Sequence, residues 1–130
     1  MTRDGLTWVV AVWQVGTAIG IAVFWFTWFR QPHDQEWLPV GYVEHERAFV
    51  FSDSALALLL VASAALLVAE ESLGRSLALV CAGMLIFLGV MDLAYFGRHG
   101  MFAREHEGLV NGGLVAALLG LAVVLVARYA

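Results

Sequence analysis

No lysine occurs among the 130 residues, and all seven basic side chains are arginines. A covalent retinal or pyridoxal phosphate (PLP) cofactor needs a Schiff-base lysine, and the phosphate-binding loop of nucleotide enzymes also carries one. The absence of lysine therefore excludes these three kinds of site.

Cysteine is almost as scarce, with Cys81 the single example. An intrachain disulfide, a dithiol redox pair and a cysteine-clustered metal centre each need two or more thiols. Disulfide redox chemistry is therefore excluded. Cys81 lies within an apolar segment, and we expect it to be a small buried residue.

Charge is also sparse, since only 14% of the residues are charged and the formal net charge is −4. The arginines are scattered singly along the chain and form no basic patch that would neutralise a run of phosphates. We therefore expect no nucleic-acid partner.

Apolar residues make up 62% of the chain and are concentrated in four blocks, at residues 6–29, 49–69, 77–96 and 109–127. Each block is long enough to cross a bilayer as a helix, whereas a transmembrane strand needs about ten residues of alternating polarity. We predict an all-α integral membrane protein, a single four-transmembrane-helix antiparallel bundle over residues 1–130 with its termini on the same side. Polar connections at 30–48 and 97–108 and a short turn at 70–76 join the helices.

The first block is longer than the hydrophobic region of a cleaved signal peptide, which has about 7–15 residues. We therefore expect it to be retained as an anchor. Arginine in place of lysine, together with abundant Ala, Leu, Val and Gly, indicates a GC-rich prokaryote. The expected location is a prokaryotic plasma membrane, with the lipid bilayer as the main partner.

An even number of helices places the two long polar connections on the same side of the membrane. That side, which we call the histidine face, carries every histidine and most of the acidic and aromatic residues. Aromatic rings anchor helices at the headgroup level, and so many of them can also form the wall of a cavity. The histidines are His33, His45, His99 and His106.

The tripeptide Glu-His-Glu occurs twice, at 44–46 and 105–107, each time just before an apolar block. The equivalent positions favour a duplicated two-helix hairpin, although chance also repeats a tripeptide in a chain of this length. Imidazole and carboxylate groups suit a divalent metal such as zinc, iron or manganese. The alternative is that these groups are solvated and that the glutamates stabilise the helix N-termini. The candidate metal ligands are His45, His106, Glu44 and Glu105.

Two aspartates lie inside the apolar blocks, Asp53 near the start of the second block and Asp92 near the end of the third. A carboxylate in hydrocarbon is costly, so it normally faces the bundle interior, a cavity or a partner charge, and it marks a functional site. We predict a polar pocket open to the histidine face and built from Asp53, Asp92, Tyr95 and Asn111.

Two nearby arginines, Arg47 and Arg98, admit two interpretations. They could compensate the charge of the pocket, or they could pair with Asp53 and Asp92 in a purely structural role. The residues that we predict to contact a ligand in this pocket are Asn111, Trp25, Trp28, Glu46, Arg47 and Arg98.

Three functions fit a polar pocket of this kind. The first is a binding or accessory protein, which holds a lipophilic ligand or docks onto a larger membrane complex. The second is a membrane-embedded enzyme that uses Asp/His acid-base chemistry on a lipophilic substrate. The third is a proton-coupled transporter, which with four helices in each chain would require a homodimer. The catalytic residues of the enzyme would be Asp53, Asp92, His99 and Tyr95.

Small residues recur at four-residue spacing in the first and fourth blocks. Such rows let helix backbones approach closely in a membrane, so we expect them to face other helices of the same chain, with a seam between two copies as the alternative. The rows are Gly16 and Gly20, and Gly112, Ala116 and Gly120. The polar residues Gln14, Thr17 and Ser63 are expected to form hydrogen bonds between helices.

Overall fold

The computed structural model describes residues 4–36, 38–98 and 108–130, with 108, 109 and 111 described by their backbone alone. Five helices account for most of these residues. Four of them are long, and the remaining one is a short helix that leads into the second long helix. In chain order they are α1 (Gly5–Arg30), α2 (Tyr42–Arg47), α3 (Val50–Val68), α4 (Ser72–Arg98) and α5 (Gly108–Tyr129).

Four helical segments are long and apolar enough to cross a membrane. The second of them combines α2 with α3, and the other three correspond to α1, α4 and α5. The prediction of an all-α integral membrane protein with four transmembrane helices is confirmed. The segments are Gly5–Arg30, Tyr42–Val68, Ser72–Arg98 and Gly112–Tyr129.

The long helices pack in chain order, with α3 between α1 and α4, and α4 between α3 and α5. Each long helix buries one face. The core that these faces form is rich in leucine and small residues, and it includes Cys81 of α4. The outward faces are just as apolar, as expected where lipid is the solvent. Large hydrophobic side chains that remain exposed include Val12, Phe26, Leu58, Phe87 and Val123.

The start of α1 meets the end of α5. Asp4 caps α1 by accepting a hydrogen bond from the Thr7 backbone N–H at 2.8 Å. The Arg128 guanidinium of α5 donates to the same Asp4 oxygen at 2.7 Å and to the Thr7 hydroxyl at 3.1 Å. Both ends of the described chain therefore lie on one side of the bundle, as predicted.

Polar residues within the bundle connect three of the helices. The Gln14 Nε2 donates to the Ser63 hydroxyl at 3.0 Å, and Ser63 donates to the Gly74 carbonyl at 2.9 Å. The expected interhelical hydrogen bond is confirmed for Gln14 and Ser63. It is wrong for Thr17, whose hydroxyl donates to the Trp13 carbonyl of its own helix.

The rows of small residues lie mostly on the outer surface. Gly16, Gly20 and Ala116 are exposed, and a β-carbon added at either of the two glycines would have no neighbour within 4 Å. For these three positions the expectation that they face other helices of the chain is wrong. For Gly120 it is confirmed, because a β-carbon there would lie 3.5 Å from the Trp13 ring of α1. Close approach occurs elsewhere, at Gly74 against α3 and at Gly89 against α5. These glycines fall on the buried face of α4, which four-residue spacing alone does not locate.

Two helices begin before their apolar blocks. Gly41, with a φ of 80°, precedes Tyr42 at the start of α2, so residues 44–46 are helical and not part of a loop. At the other membrane face α4 begins at Ser72, after a tight turn over residues 69–71. Apolar content defines only the part of a helix inside hydrocarbon, whereas the backbone continues as helix into the interface.

Candidate functional site

Three carboxyl side chains are gathered inside the bundle at the histidine face. Glu46 of α2 is 6% exposed, Asp53 of α3 is 8% exposed, and Asp92 of α4 is half-buried. Each pair among them is close enough for electrostatic repulsion. We call Glu46, Asp53 and Asp92 the acidic cluster. Two of its members are the aspartates singled out in the sequence, and the structure places the predicted ligand residue Glu46 beside them.

The spacing of the residues along the helices explains how the cluster forms. Glu46 precedes Asp53 by seven residues, which is two helical turns, so both side chains emerge on the same face. Asp92 lies one turn beyond Leu88, which lines the same groove as Asp53. The three carboxyl groups therefore come together where α2 leads into α3, beside the last two turns of α4.

Asp53 is held from the neighbouring helix. The Trp25 indole Nε1–H donates to its Oδ2 at 3.0 Å, and both side chains are buried. Trp25 also contacts Trp28 edge to face, with ring centroids 5.2 Å apart. The two tryptophans predicted to contact a ligand thus lie beside the acidic cluster, one of them bonded to it directly.

No described residue donates a hydrogen bond to Glu46 or Asp92, and none forms an ion pair with the acidic cluster. Arg47 and Arg98 are both exposed. Within the described part of the chain, neither arginine provides the charge compensation or the structural pairing that their positions suggested. The negative groups are therefore left without a positive partner from the described residues.

An aromatic wall borders the cluster. The ring of His45 stacks on that of Tyr95, with centroids 3.8 Å apart and an interplanar angle of 8°. Tyr95, which was predicted to take part in the site, is half-buried and interacts electrostatically with Glu46. An imidazole and a phenol are thus placed next to the carboxyl groups.

The connection between α1 and α2 folds back over the end of α1. The His33 Nε2 lies 2.8 Å from the Trp28 carbonyl oxygen, and the Trp28 indole donates to the Tyr42 hydroxyl at 3.3 Å. Leu38 and Tyr42 pack with Phe96 against α5. The sequence did not identify His33 and Tyr42 as neighbours of the site. The one available sign was Gly41, because a glycine at this position suits the start of a helix and so places Tyr42 in the first turn of α2.

An apolar groove leads away from Asp53 along the outer side of α3 and α4. It has a volume of about 410 Å³ and is open to the surroundings of the bundle. Apart from Asp53 and Ser52, its lining is apolar. One lining residue, Gly83, is exposed and has no side chain to fill the groove. The other lining residues are Phe49, Leu56, Val80, Met84, Phe87 and Leu88.

The metal prediction involves both described and undescribed residues. Glu44 is exposed, whereas the His45 ring is occupied by its stacking on Tyr95. Among the described residues, no three His, Cys, Asp or Glu side chains are arranged to hold a metal ion. His99, His106 and Glu105 lie outside the described residues, and so does the side chain of Asn111.

Comparison with known proteins yields no match, since no family model, curated protein or solved structure is significantly similar to the chain. The fold and site define a four-helix integral membrane protein with an acidic cluster at one membrane face and an apolar groove that reaches it.

Proposed function

We propose that this protein binds a lipophilic ligand within the bilayer. The polar end of the ligand lies at the acidic cluster, and its apolar part lies in the groove between α3 and α4. The setting that we propose is the plasma membrane of a prokaryote, in accord with the composition.

The position of Asp53 carries the proposal. Its carboxyl group is bonded to Trp25 inside the bundle and also lines the apolar groove. A charged side chain within a membrane costs at least about 2.5–3.5 kcal/mol on insertion scales, and such residues usually mark a binding or transport site. A groove of about 410 Å³ falls within the range of about 300–1,000 Å³ that is usual for small-molecule sites.

The test is to fill the groove and examine what the protein retains. Gly83→Leu places a side chain in the groove, and a β-carbon at this position meets no atom within 4 Å. Gly16→Leu is the matched control, because Gly16 is also an exposed helical glycine with no neighbour within 4 Å.

Wild-type protein and both variants are purified in nanodiscs, and the molecules bound to each are identified by native mass spectrometry. We expect a small molecule bound to the wild type and to Gly16→Leu but depleted from Gly83→Leu. Equal retention by all three proteins, or no retained molecule in the wild type, would contradict the proposal.

A membrane-embedded enzyme is the second candidate, and the stacked pair of His45 and Tyr95 favours it. This pair puts two proton-transfer groups next to Glu46, with Asp92 close by. General acid-base catalysis needs groups of this kind within reach of one substrate. An enzyme predicts that Asp92→Asn abolishes chemical conversion of the retained molecule while leaving its binding intact, and mass spectrometry of that molecule distinguishes the two outcomes.

A further inference from the structure

We propose that the ligand is a lipophilic cation, with a positively charged head group of the ammonium type and an unbranched apolar tail. This inference rests on the proposed function, because it specifies the ligand of the same site. It follows from two independent observations. Two carboxyl groups inside the bundle, those of Glu46 and Asp92, have no partner among the described residues, and an apolar groove reaches the third, that of Asp53.

The first observation concerns charge. Only 6% of the Glu46 surface is exposed, and no described residue donates a hydrogen bond to its carboxyl group or forms an ion pair with it. Asp53 and Asp92, the acidic neighbours of Glu46, repel its carboxylate and do not compensate its charge. A buried carboxyl group without a partner avoids a large charge penalty either by staying protonated or by pairing with a cation at hydrogen-bonding distance.

A cationic head group suits the site better than an anionic or a neutral one. A phosphate or carboxylate head group would add repulsion to three carboxyl groups that already repel one another. A neutral alcohol could donate one hydrogen bond, whereas an ammonium group has several donors and its charge attracts the whole cluster. The groove reaches Asp53, and the Asp92 carboxyl group is close enough to repel that of Asp53, so a head group that enters beside Asp53 also lies near Asp92.

The second observation concerns shape. The groove is formed by residues of α3 and α4 whose outer sides face lipid, so the tail can enter sideways from the bilayer. Gly83 and Met84 line it midway along α4, and Gly83 has no side chain to interrupt a chain of methylene groups. Phe49 and Phe87 contribute apolar surface near the end closer to the acidic cluster.

The experiment uses two probes with the same tail, a dodecylamine and a dodecanol that each carry two bromine atoms on the tail. Bromine quenches tryptophan fluorescence, and Trp25 is bonded to the cluster that the head group would occupy. The protein is reconstituted in nanodiscs of neutral phosphatidylcholine, and quenching is titrated for the wild type, for Glu46→Gln with Asp92→Asn, and for Glu44→Gln. Glu44 is the matched control, because it is exposed and lies on the same short helix as Glu46.

We expect saturable quenching by the amine and much weaker quenching by the alcohol. Removing two carboxylates should weaken amine binding about thirtyfold or more, the effect of losing a buried charge partner, and Glu44→Gln should leave it unchanged. Circular dichroism verifies that the double variant folds, and the comparison of amine with alcohol on the wild type does not depend on that variant.

Equal quenching by amine and alcohol, with no effect of the double variant, would overturn the cationic head group and leave the lipophilic site in place. Absence of saturable quenching by either probe, combined with equal ligand retention by Gly83→Leu, would overturn the proposed function itself. The two failures are therefore distinguishable.

Discussion

Trp25 and Asp53 show how a single side-chain contact holds a carboxyl group in a membrane interior. The indole supplies a donor without a charge, so it satisfies one oxygen of Asp53 and leaves the other available. The ring also packs among neighbouring aromatic side chains, which restricts its rotation. Asp53 is therefore fixed in position by a neutral donor and not by a positive charge.

Trp25→Phe should destabilise the protein by about 1–3 kcal/mol, because it keeps an apolar ring but leaves a buried acceptor without its donor. The measurement is unfolding in detergent, followed by circular dichroism. In a double-mutant cycle with Asp53→Asn, we expect a coupling energy of about 0.5–3 kcal/mol, as for residues in direct contact. Strict additivity of the two single changes would show that the hydrogen bond contributes nothing.

Gln14 makes a second residue-level prediction, since its Oε1 is buried and has no partner among the described residues. Gln14→Met removes one interhelical hydrogen bond, which in membranes averages about 0.6 kcal/mol, and it also removes the unsatisfied oxygen. We therefore expect a change in unfolding free energy within about 1 kcal/mol.

Ser63→Ala should lower the free energy of unfolding by about 1–3 kcal/mol, more than Gln14→Met does. The reason is that it removes the acceptor of the Gln14 amide and the hydroxyl that donates to the Gly74 carbonyl. Unfolding of both variants in the same detergent gives the comparison. A larger loss for Gln14→Met than for Ser63→Ala would contradict this account.

At the scale of elements, the contact between α3 and α4 depends on Gly74. A β-carbon at this position would lie 2.6 Å from the Leu67 nitrogen and 2.8 Å from the Leu66 carbonyl carbon. Both are backbone atoms and cannot rotate away. The two helices can leave the tight turn side by side only because no side chain is present there.

Gly74→Ala should therefore destabilise the bundle by about 1–3 kcal/mol, the usual cost of overpacking. Gly16→Ala is the control, because its added methyl group meets no atom within 4 Å and alanine improves helix propensity by up to about 1 kcal/mol. Thermal unfolding in nanodiscs should show a lower midpoint for Gly74→Ala and an equal or higher midpoint for Gly16→Ala. Equal midpoints for the two variants would mean that the helices move apart at no cost.

The four membrane-spanning helices followed from the sequence, because long apolar blocks without alternating polarity can cross a bilayer only as helices. The short helix α2 did not, because it lies in a segment that the sequence marks as a polar connection. The rotation of each helix did not follow. Where lipid and protein interior are equally apolar, hydrophobic periodicity gives no direction, and this is why Gly16 and Gly20 were assigned to the wrong face. Charged residues are the exception, since a carboxyl group in an apolar block is expected to face inwards, and Asp53 is buried.

The candidate site was predictable to a similar degree. Asp53 and Asp92 stand out because ionisable residues in hydrocarbon are rare and costly. The bond from Trp25 could not be derived, since it depends on how α1 is rotated against α3. The groove could not be predicted either. It depends on the spacing between α3 and α4 and on Gly83, which no sequence pattern distinguishes from the other glycines.

At the scale of the whole molecule, Arg128 and Asp4 join the last helix to the first. The pKa of Asp4 is lowered from 3.8 to about 2, first by the hydrogen bond from the Thr7 backbone and then by the one from Arg128. Because the pKa is lower in the folded state, the ionised group stabilises the bundle above the unfolded-state value. That contribution is lost as the pH falls through 3.8 towards 2.

Asp4→Asn should accordingly lower the unfolding midpoint at neutral pH and make a much smaller difference near pH 2, where wild-type Asp4 is itself becoming protonated. Asparagine keeps a capping side chain, so the change isolates the charge. Melting curves recorded from neutral pH down to about pH 2 provide the measurement, with exposed Asp34→Asn as the control. A difference between wild type and Asp4→Asn that stays constant over this range would contradict the assignment.

The contact between Trp25 and Trp28 has an optical consequence. Their ring centroids are 5.2 Å apart and their planes cross at 68°, so the excited states of the two indoles couple. The coupled transitions absorb left- and right-circularly polarised light unequally, with opposite signs on the two sides of the absorption band. The histidine-face end of the bundle therefore carries its own chiroptical signal, which disappears when these two rings separate, even if every helix remains intact.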